Sequence, residues 1–207
     1  MPLISAQQLN LVTKIGVWHI QEPDNFFLAK VTLQRAITHP HKRLQHLAGR
    51  YLLQHLFADF PTSLIQIADT RKPFLVDEQF HFSISHCGDY AAAIVSRQNR
   101  VGVDIEVPHA KVERIVHKFL SEAEQALFLN TTIAHPHPLT MAWSIKEALF
   151  KWYGAGQVDF IRHMHINAIT TDGVLHKAHC SFTKHAPIIV DVHNMEINGN
   201  NLSWVIT

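Results

Sequence analysis

VGVDIE, residues 101–106, is a short apolar run that carries two carboxylates, Asp104 and Glu106. Such a run predicts a β-strand, on which residues two apart project from the same face. An ionised carboxylate in apolar surroundings is costly unless a cation or hydrogen-bond donors compensate it. The stretch therefore predicts a strand with two neighbouring carboxylates that need a partner.

A second informative stretch, WSIKEALFKWYG, occupies residues 143–154 and has the periodicity of a helix. Glu147 and Lys151 lie one turn apart on the side opposite its apolar stripe, and Trp143 and Phe150 flank them. We therefore expect a helix of residues 141–153 that ends at Gly154 and half-buries this charged pair. The stripe itself consists of Ile145, Ala148, Leu149 and Trp152.

The three carboxylates Asp104, Glu106 and Glu147 are the oxygen ligands that Mg²⁺ prefers when it also grips a substrate phosphate. Two simpler interpretations remain open. Asp104 and Glu106 are also compatible with the solvated face of an edge strand. Glu147 and Lys151 are also compatible with an ordinary ion pair on a helix surface.

The rest of the chain predicts an α+β fold of two similar halves, each a long helix packed on a small antiparallel sheet. In the first half we expect a helix over residues 42–57 and a hairpin of residues 80–85 and 90–95. We expect the VGVDIE strand to extend that same meander. In the second half Ser121 and Glu124 form a capping box for a helix through Leu129, and residues 133–140 read as a proline-broken loop. Four β-like runs follow at residues 166–170, 180–183, 188–193 and 202–206.

The first half also contributes candidate anion binders. Arg43 and Arg50 are seven residues apart and share one helix face, while Arg71 and Lys72 precede Pro73 in a loop. Ser85 and His86 end a strand at a hairpin corner, where hydroxyl, imidazole and backbone donors converge. Each residue taken singly is compatible with a purely structural role.

Composition narrows the class of protein. The 207 residues include 47% apolar side chains, enough for a sizeable core, and the net charge of +1 gives no basic field for nucleic acid. The N-terminus lacks a cationic start followed by an apolar run, and we expect neither a signal peptide nor a membrane span.

Cys87 and Cys180 form no CxxC motif, so a reduced, cytoplasmic setting is expected. The 17 histidines are scattered without a zinc-binding spacing, and most are expected to have no ligand role.

Four motifs in order, RKPF (residues 71–74), FSISH (82–86), VGVDIE and WSIKEALFK (143–151), resemble the 4'-phosphopantetheinyl transferases of the surfactin-synthetase-activating type. Their signature is GVDIE followed by WxxKEAxxK, and LAGRYLL (47–53) also matches their first helix. The resemblance extends over about residues 42–154.

The resemblance implies a pseudodimer with coenzyme A in the cleft between its halves. Residues 1–100 would form the half on the 3'-phosphate and adenine side, and residues 101–207 the half that binds Mg²⁺ and the carrier protein. Carried over by position, Asp104, Glu106 and Glu147 would hold Mg²⁺, and Lys151 would contact the transferred phosphate. Ser85, His86, Lys72 and Arg50 would grip the 3'-phosphate and adenine end, with Arg43 and Arg71 secondary. Residues 117–120, HKFL, resemble a segment near the carrier-protein contact.

The implied reaction moves 4'-phosphopantetheine from coenzyme A to a serine of an apo acyl or peptidyl carrier protein and releases 3',5'-ADP. Glu147 would act as base, directly or through a metal-bound water, and the chain would be a monomer. A Mg²⁺-dependent phosphohydrolase and a non-catalytic coenzyme A-binding module are the alternatives. Retention of Lys146 and Lys151 beside the three carboxylates argues against the module.

Overall fold

The computed structural model describes residues 2–33, 36–129 and 137–207, which form two antiparallel sheets with one long helix packed on each. The expected α+β fold is thus confirmed. One sheet has four strands and the other has five, and a two-stranded ribbon lies beside the first.

The first sheet has the strand order β1-β2-β6-β5. Helix α2 covers one face, because Leu47, Leu52 and Leu53 bury their side chains against Ala91 and Ala93 of β6. The elements of this half are β1 (Leu3–Asn10), β2 (Thr13–His19), α1 (Asp24–Leu28), α2 (Pro40–Leu56), β3 (Gln66–Ile67), β4 (Pro73–Phe74), β5 (His81–Cys87) and β6 (Tyr90–Ser96).

The second sheet has the strand order β7-β11-β10-β9-β8, and helix α5 covers one of its faces. Its elements are β7 (Val101–Glu106), α3 (Lys111–Ile115), α4 (Glu122–Leu129), α5 (Pro138–Tyr153), β8 (Met164–Asp172), β9 (Leu175–Phe182), β10 (Ile188–Ile197) and β11 (Asn200–Ile206).

The VGVDIE strand corrects one expectation. β7 does not extend the β5–β6 hairpin but pairs antiparallel with β11, so that Asp104 lies opposite Ser203. It is therefore an edge strand of the second sheet. Local alternation predicts a strand, but the choice of pairing partner depends on contacts distant in sequence.

The two sheets bury a shared core. Ile15 and Ile94 of the first sheet pack with Val103, Ile105 and Trp204 of the second. The order of layers is therefore helix, sheet, sheet, helix. At one side of this sandwich the edge strands β5 and β7 lie next to each other, and the Ser83 hydroxyl accepts a hydrogen bond from the Val103 amide at 3.1 Å.

Most elements lie close to their expected positions. The helix expected over residues 42–57 begins two residues earlier, because Pro40 occupies the first turn where its missing N–H is no loss. The capping box is confirmed by the Ser121 amide donating to Glu124 Oε2 at 2.8 Å and the Glu124 amide donating to Ser121 Oγ at 3.3 Å. The β1–β2 hairpin was not predicted. Residues 133–136 of the expected proline-broken loop lie outside the described residues, and its end, from Pro138, is helical.

Gly102 allows β7 to approach α5 closely. A Cβ atom built on it would lie 2.3 Å from the Ala148 carbonyl oxygen and 2.6 Å from the Trp152 amide nitrogen. Both are backbone atoms of the helix that carries Glu147 and Lys151. The glycine therefore sets the distance between this helix and the Asp104 strand.

Gly102→Ala should destabilise the fold by more than the ~1–3 kcal/mol typical of overpacking, because backbone atoms cannot turn aside as a side chain can. The measurement is the free energy of unfolding in urea. Gly173→Ala is the control, since its Cβ meets no atom within 4 Å. It requires only a left-handed alanine, at ~1–2 kcal/mol. Equal losses for the two variants would contradict the close-approach explanation.

Candidate functional site

Three elements bring their polar side chains together where β5 meets β7. The Lys151 ammonium on α5 donates to Asp104 Oδ1 on β7 at 2.6 Å and to Ser85 Oγ on β5 at 2.7 Å. The Ser85 hydroxyl also donates to Asp104 Oδ1 at 2.9 Å. The two halves of the chain are thus joined through one lysine, one serine and one carboxylate.

Asp104 is almost completely buried, with 1% of its surface exposed. Its Oδ1 atom is well compensated, but its Oδ2 atom has no hydrogen-bond partner among the described residues. An unpaired oxygen on a buried carboxylate is costly, so the site has the capacity for one further positive ligand or donor.

Glu106 lies on the same face of β7, as its two-residue spacing from Asp104 predicts. Its Oε1 atom accepts from the Trp143 indole at 3.1 Å, and its Oε2 atom accepts from the Cys87 thiol at 3.2 Å. Desolvation raises the pKa of Glu106, and repulsion from Asp104 raises it further. Both oxygens are therefore oriented, and the indole and the thiol that donate to them are uncharged.

Glu147 is half-buried on the side of α5 that also carries Trp143, Phe150 and Lys151. Burial raises its pKa to about 7, with repulsion from Asp104 as the second cause, while Lys151 opposes the shift. Glu106 adds a smaller repulsion. The three carboxylates therefore repel one another and form a negatively charged region.

This region fits a hard divalent cation in chemistry and charge. It offers carboxylate oxygens, an orphaned Asp104 oxygen, and two glutamates whose charged forms are disfavoured without a cation. Within the described parts of the chain, however, no three side chains of His, Cys, Asp and Glu are arranged as a formed metal site.

A cleft cavity of about 210 Å³ adjoins Lys151. It lies between the loop of residues 70–73, residues 82–84 of β5, and Phe150 and Lys151 of α5. Arg71 and Lys72 both line it, so two of the expected anion binders face the same space as Lys151. Desolvation lowers the pKa of Lys72 to about 8, and the Arg100 charge contributes to the shift.

His86 follows Ser85 at the exposed end of β5. The protein around the ring lowers its pKa through desolvation, and the positive charge of Lys151 is the second cause. The charge of Lys151 therefore acts on the His86 imidazole. The imidazole is also exposed to solvent, so a ligand can reach it.

Arg43 and Arg50 lie on α2, and other protein groups already contact both side chains, so they are less available to bind an anion. Arg43 forms an ion pair with Asp24 of α1. Arg50 is buried and its guanidinium contacts His46 Nδ1 at 3.1 Å. Neither residue lines the cleft cavity beside Lys151.

Two residues of the site were not assigned a role from the sequence. Trp143 was expected to flank Glu147, but its indole in fact orients Glu106. Cys87 is two residues after Ser85 on the same strand, and this spacing was the available signal that it shares the face of Ser85. With Val112 and Ile115, these two residues line an apolar hollow of about 450 Å³ beside Glu106.

The expected carrier-contact segment of residues 117–120 is divided between surface and core. His117 and Lys118 are exposed, whereas Phe119 and Leu120 are each 1% exposed and belong to the core under α5. Only the basic half of the segment can meet another molecule.

A larger cavity of about 490 Å³ lies on the far side of Lys72, against Arg100 and Tyr153, and includes none of the three carboxylates.

Both cysteines are free thiols, and the helices in the described part of the chain lack the length and apolarity that a membrane crossing requires.

Comparison with known proteins gives one family. Residues 100–197 match the model of the 4'-phosphopantetheinyl transferase superfamily. Enterobactin synthase component D of Salmonella austin is 36% identical over 113 residues, which are 53% of this chain and 47% of that protein. The chain thus spans about half the length of this relative.

Two further relatives are covered over longer stretches. A putative 4'-phosphopantetheinyl transferase of Haemophilus influenzae is 28% identical over 68% of this chain and 63% of its own length. The 4'-phosphopantetheinyl transferase AcpT of Escherichia coli O157:H7 is 26% identical over 79% of this chain and 83% of its own length. The region that matches the superfamily model contains β7 and α5 with all three carboxylates and Lys151, so the chain is similar to the 4'-phosphopantetheinyl transferase superfamily over residues 100–197.

Proposed function

We propose that this protein transfers the 4'-phosphopantetheine group from coenzyme A to a serine hydroxyl of an apo carrier protein. The observation that carries the proposal is the contact of Lys151 with both Ser85 and Asp104, which joins one element of each half beside a cleft. Lys151 supplies a cation that can bind a phosphate, and Asp104 supplies a carboxylate that can bind a metal. Transfer of a group from a pyrophosphate requires both a cation and a metal. The match of residues 100–197 to the model of the 4'-phosphopantetheinyl transferase superfamily supports the same reaction.

Coenzyme A would lie in the cleft beside Lys151. Lys72 and Arg71 line this cavity, and Ser85 and His86 stand at the end of the strand that forms its wall. These residues are proposed to hold the 3'-phosphate and the adenine end. Arg50 is proposed to support that end from α2 and Arg43 stays a secondary candidate, because Arg43 is engaged by Asp24.

Asp104, Glu106 and Glu147 would hold Mg²⁺. When bound, the ion would neutralise charge on the pyrophosphate and align it. The orphaned Asp104 oxygen and the raised pKa of Glu147 support this assignment, since each is relieved by a cation.

In the reaction the carrier serine oxygen forms a bond to the phosphorus that bears pantetheine, and the bond from this phosphorus to the 3',5'-ADP oxygen breaks. Lys151 offsets the charge that develops on the phosphoryl oxygens. Glu147 is proposed to accept the serine proton, directly or through a water molecule. The apolar hollow beside Glu106 is a suitable path for the pantetheine arm.

Further features of the proposal follow the surfactin-synthetase-activating type of this family. The first half, residues 1–100, would serve the adenine side of coenzyme A, and residues 101–207 would serve the metal and the carrier. The protein would act as a cytoplasmic monomer, without a nucleic-acid or membrane partner. Residues His117 and Lys118 are positioned on the surface to meet an acidic carrier.

Glu147→Gln should lower the rate of transfer about 10²–10⁴-fold, the usual contribution of a general base. The variant and the wild-type chain are incubated with coenzyme A, Mg²⁺ and a panel of apo carrier proteins, and the carrier is weighed by mass spectrometry. The wild-type chain should add a phosphopantetheine group to at least one carrier. Release of a free phosphate ester without a gain in carrier mass would favour the phosphohydrolase instead, and full activity of the variant would remove Glu147 from the mechanism.

The same substitution should make stability less dependent on pH. The pKa of Glu147 is raised in the folded chain from 4.5 to about 7, so its contribution to stability is full below pH 4.5 and is lost as the pH rises through about 7. In the presence of a chelator, Glu147→Gln should therefore melt at a higher temperature than the wild-type chain at pH 8, and the difference should shrink toward pH 5. Glu113→Gln, at an exposed position, is the matched control. A difference that does not change with pH would contradict the assigned pKa.

His86→Ala should weaken coenzyme A binding about tenfold, because one hydrogen bond to a charged phosphate is lost. Binding of 3'-dephospho-coenzyme A should change little. Isothermal titration calorimetry measures both affinities, with His165→Ala on the distant strand β8 as control. Equal losses for the two ligands would show that His86 does not meet the 3'-phosphate.

A further inference from the structure

Lys146 immediately precedes Glu147, yet its side chain has no exposed surface. Its ammonium donates to the Phe160 carbonyl at 2.9 Å and to the Met164 carbonyl at 2.6 Å, and it forms an ion pair with Glu124 at 2.6 Å. The three protons of the ammonium are thus matched by three oxygen acceptors. Lys146 is directed away from the cleft and into the second half of the molecule.

The partner carboxylate is also fully engaged. Glu124 Oε1 accepts from the Ile166 amide at 2.8 Å, and Glu124 Oε2 accepts from the Ser121 amide at 2.8 Å and the Ser121 hydroxyl at 2.9 Å. This ion pair therefore fastens α5 to the start of α4, to the segment that follows α5, and to β8.

A gain in folding stability does not by itself explain the buried ion pair of Lys146 and Glu124. A buried ion pair is often no more stabilising than apolar side chains of the same volume, because both charges must be desolvated. A directional set of hydrogen bonds, in contrast, fixes one orientation of the helix, which an apolar side chain at this position would not do.

The rotation of α5 matters because successive helix residues point about 100° apart. With Lys146 directed into the protein, Glu147 points about 100° away from it, on the side of α5 that also carries Trp143, Phe150 and Lys151. On the opposite edge of the helix, Gly102 admits the backbone of β7 against Ala148 and Trp152. Glu147 lies between these two attachments.

Lys151 has separate attachments. Its ammonium is bound by Asp104 and Ser85, and the end of its helix is held by the Arg100 Nε atom, which donates to the Trp152 carbonyl at 2.8 Å. Loss of the Lys146 anchor should therefore displace Glu147 more than Lys151.

We propose that Lys146 is a positioning residue, which fixes α5 through Glu124 and the Phe160 and Met164 carbonyls so that Glu147 faces the transferred group, and that it does not contact phosphate. The proposal rests on the proposed function of Glu147.

The test compares Lys146→Met, Glu124→Gln and the double variant in the full chain. Each single variant leaves one buried charge without its partner, so each should lower the melting temperature more than the double variant does. In the double variant kcat for transfer should fall about tenfold or more, while KM for coenzyme A and its calorimetric Kd stay within about threefold of wild type. Lys177→Met with Asp191→Asn, which removes an exposed ion pair from the second sheet, is the control and should leave all three constants unchanged.

A wild-type kcat in the double variant would overturn the inference. A rise of about tenfold in KM and Kd for coenzyme A with kcat unchanged would do so as well, because that pattern is expected of a phosphate contact.

If the double variant does not fold, Glu124→Asp, which moves the anchor by one methylene, should still lower kcat without changing KM, and an unchanged kcat there would count against the proposal. If the proposed function itself is wrong, the wild-type chain and the control will be as inactive as the anchor variants, which separates that failure from a failure of the anchor alone.

Discussion

The burial of the Asp104 carboxylate is the constraint on which the rest of the site depends. A charge with 1% exposure is tolerable only if positive or donor groups meet it, and the chain supplies Lys151 from α5 and Ser85 from β5. Each of these partners belongs to a different element. Compensation of one carboxylate therefore fixes the mutual placement of a helix and two strands.

The same constraint explains why the site lies between two edge strands. β5 is an edge strand of the first sheet and β7 is an edge strand of the second. As edges of separate sheets they approach through the Ser83–Val103 hydrogen bond and leave room for Lys151 to enter from α5. The correction of the expected meander therefore matters for the site, because Ser85 and Asp104 come from strands of different sheets.

Local patterns predicted the elements but not their partners. The stripe of α5, the Ser121–Glu124 capping box and the β5–β6 hairpin are encoded by residues close in sequence, and all three are confirmed. The β1–β2 hairpin was missed because β1, LISAQQLN, lacks regular alternation of apolar and polar residues and is only partly buried. The pairing of β7 with β11, the Arg43–Asp24 ion pair and the Cys87–Glu106 hydrogen bond depend on tertiary packing. No spacing within a motif specifies such contacts.

The apolar core shared by the two sheets has a consequence for how a ligand enters. Domains joined by a small polar interface move as a hinge, whereas Ile15, Ile94, Val103 and Trp204 would have to leave their common core before these sheets could separate. The two sheets are therefore expected to keep their separation when a ligand binds. Entry of a ligand is therefore expected to require small movements of side chains that line the cavity, such as Arg71 and Lys72, and the rate of association should reflect these movements instead of the opening of two lobes.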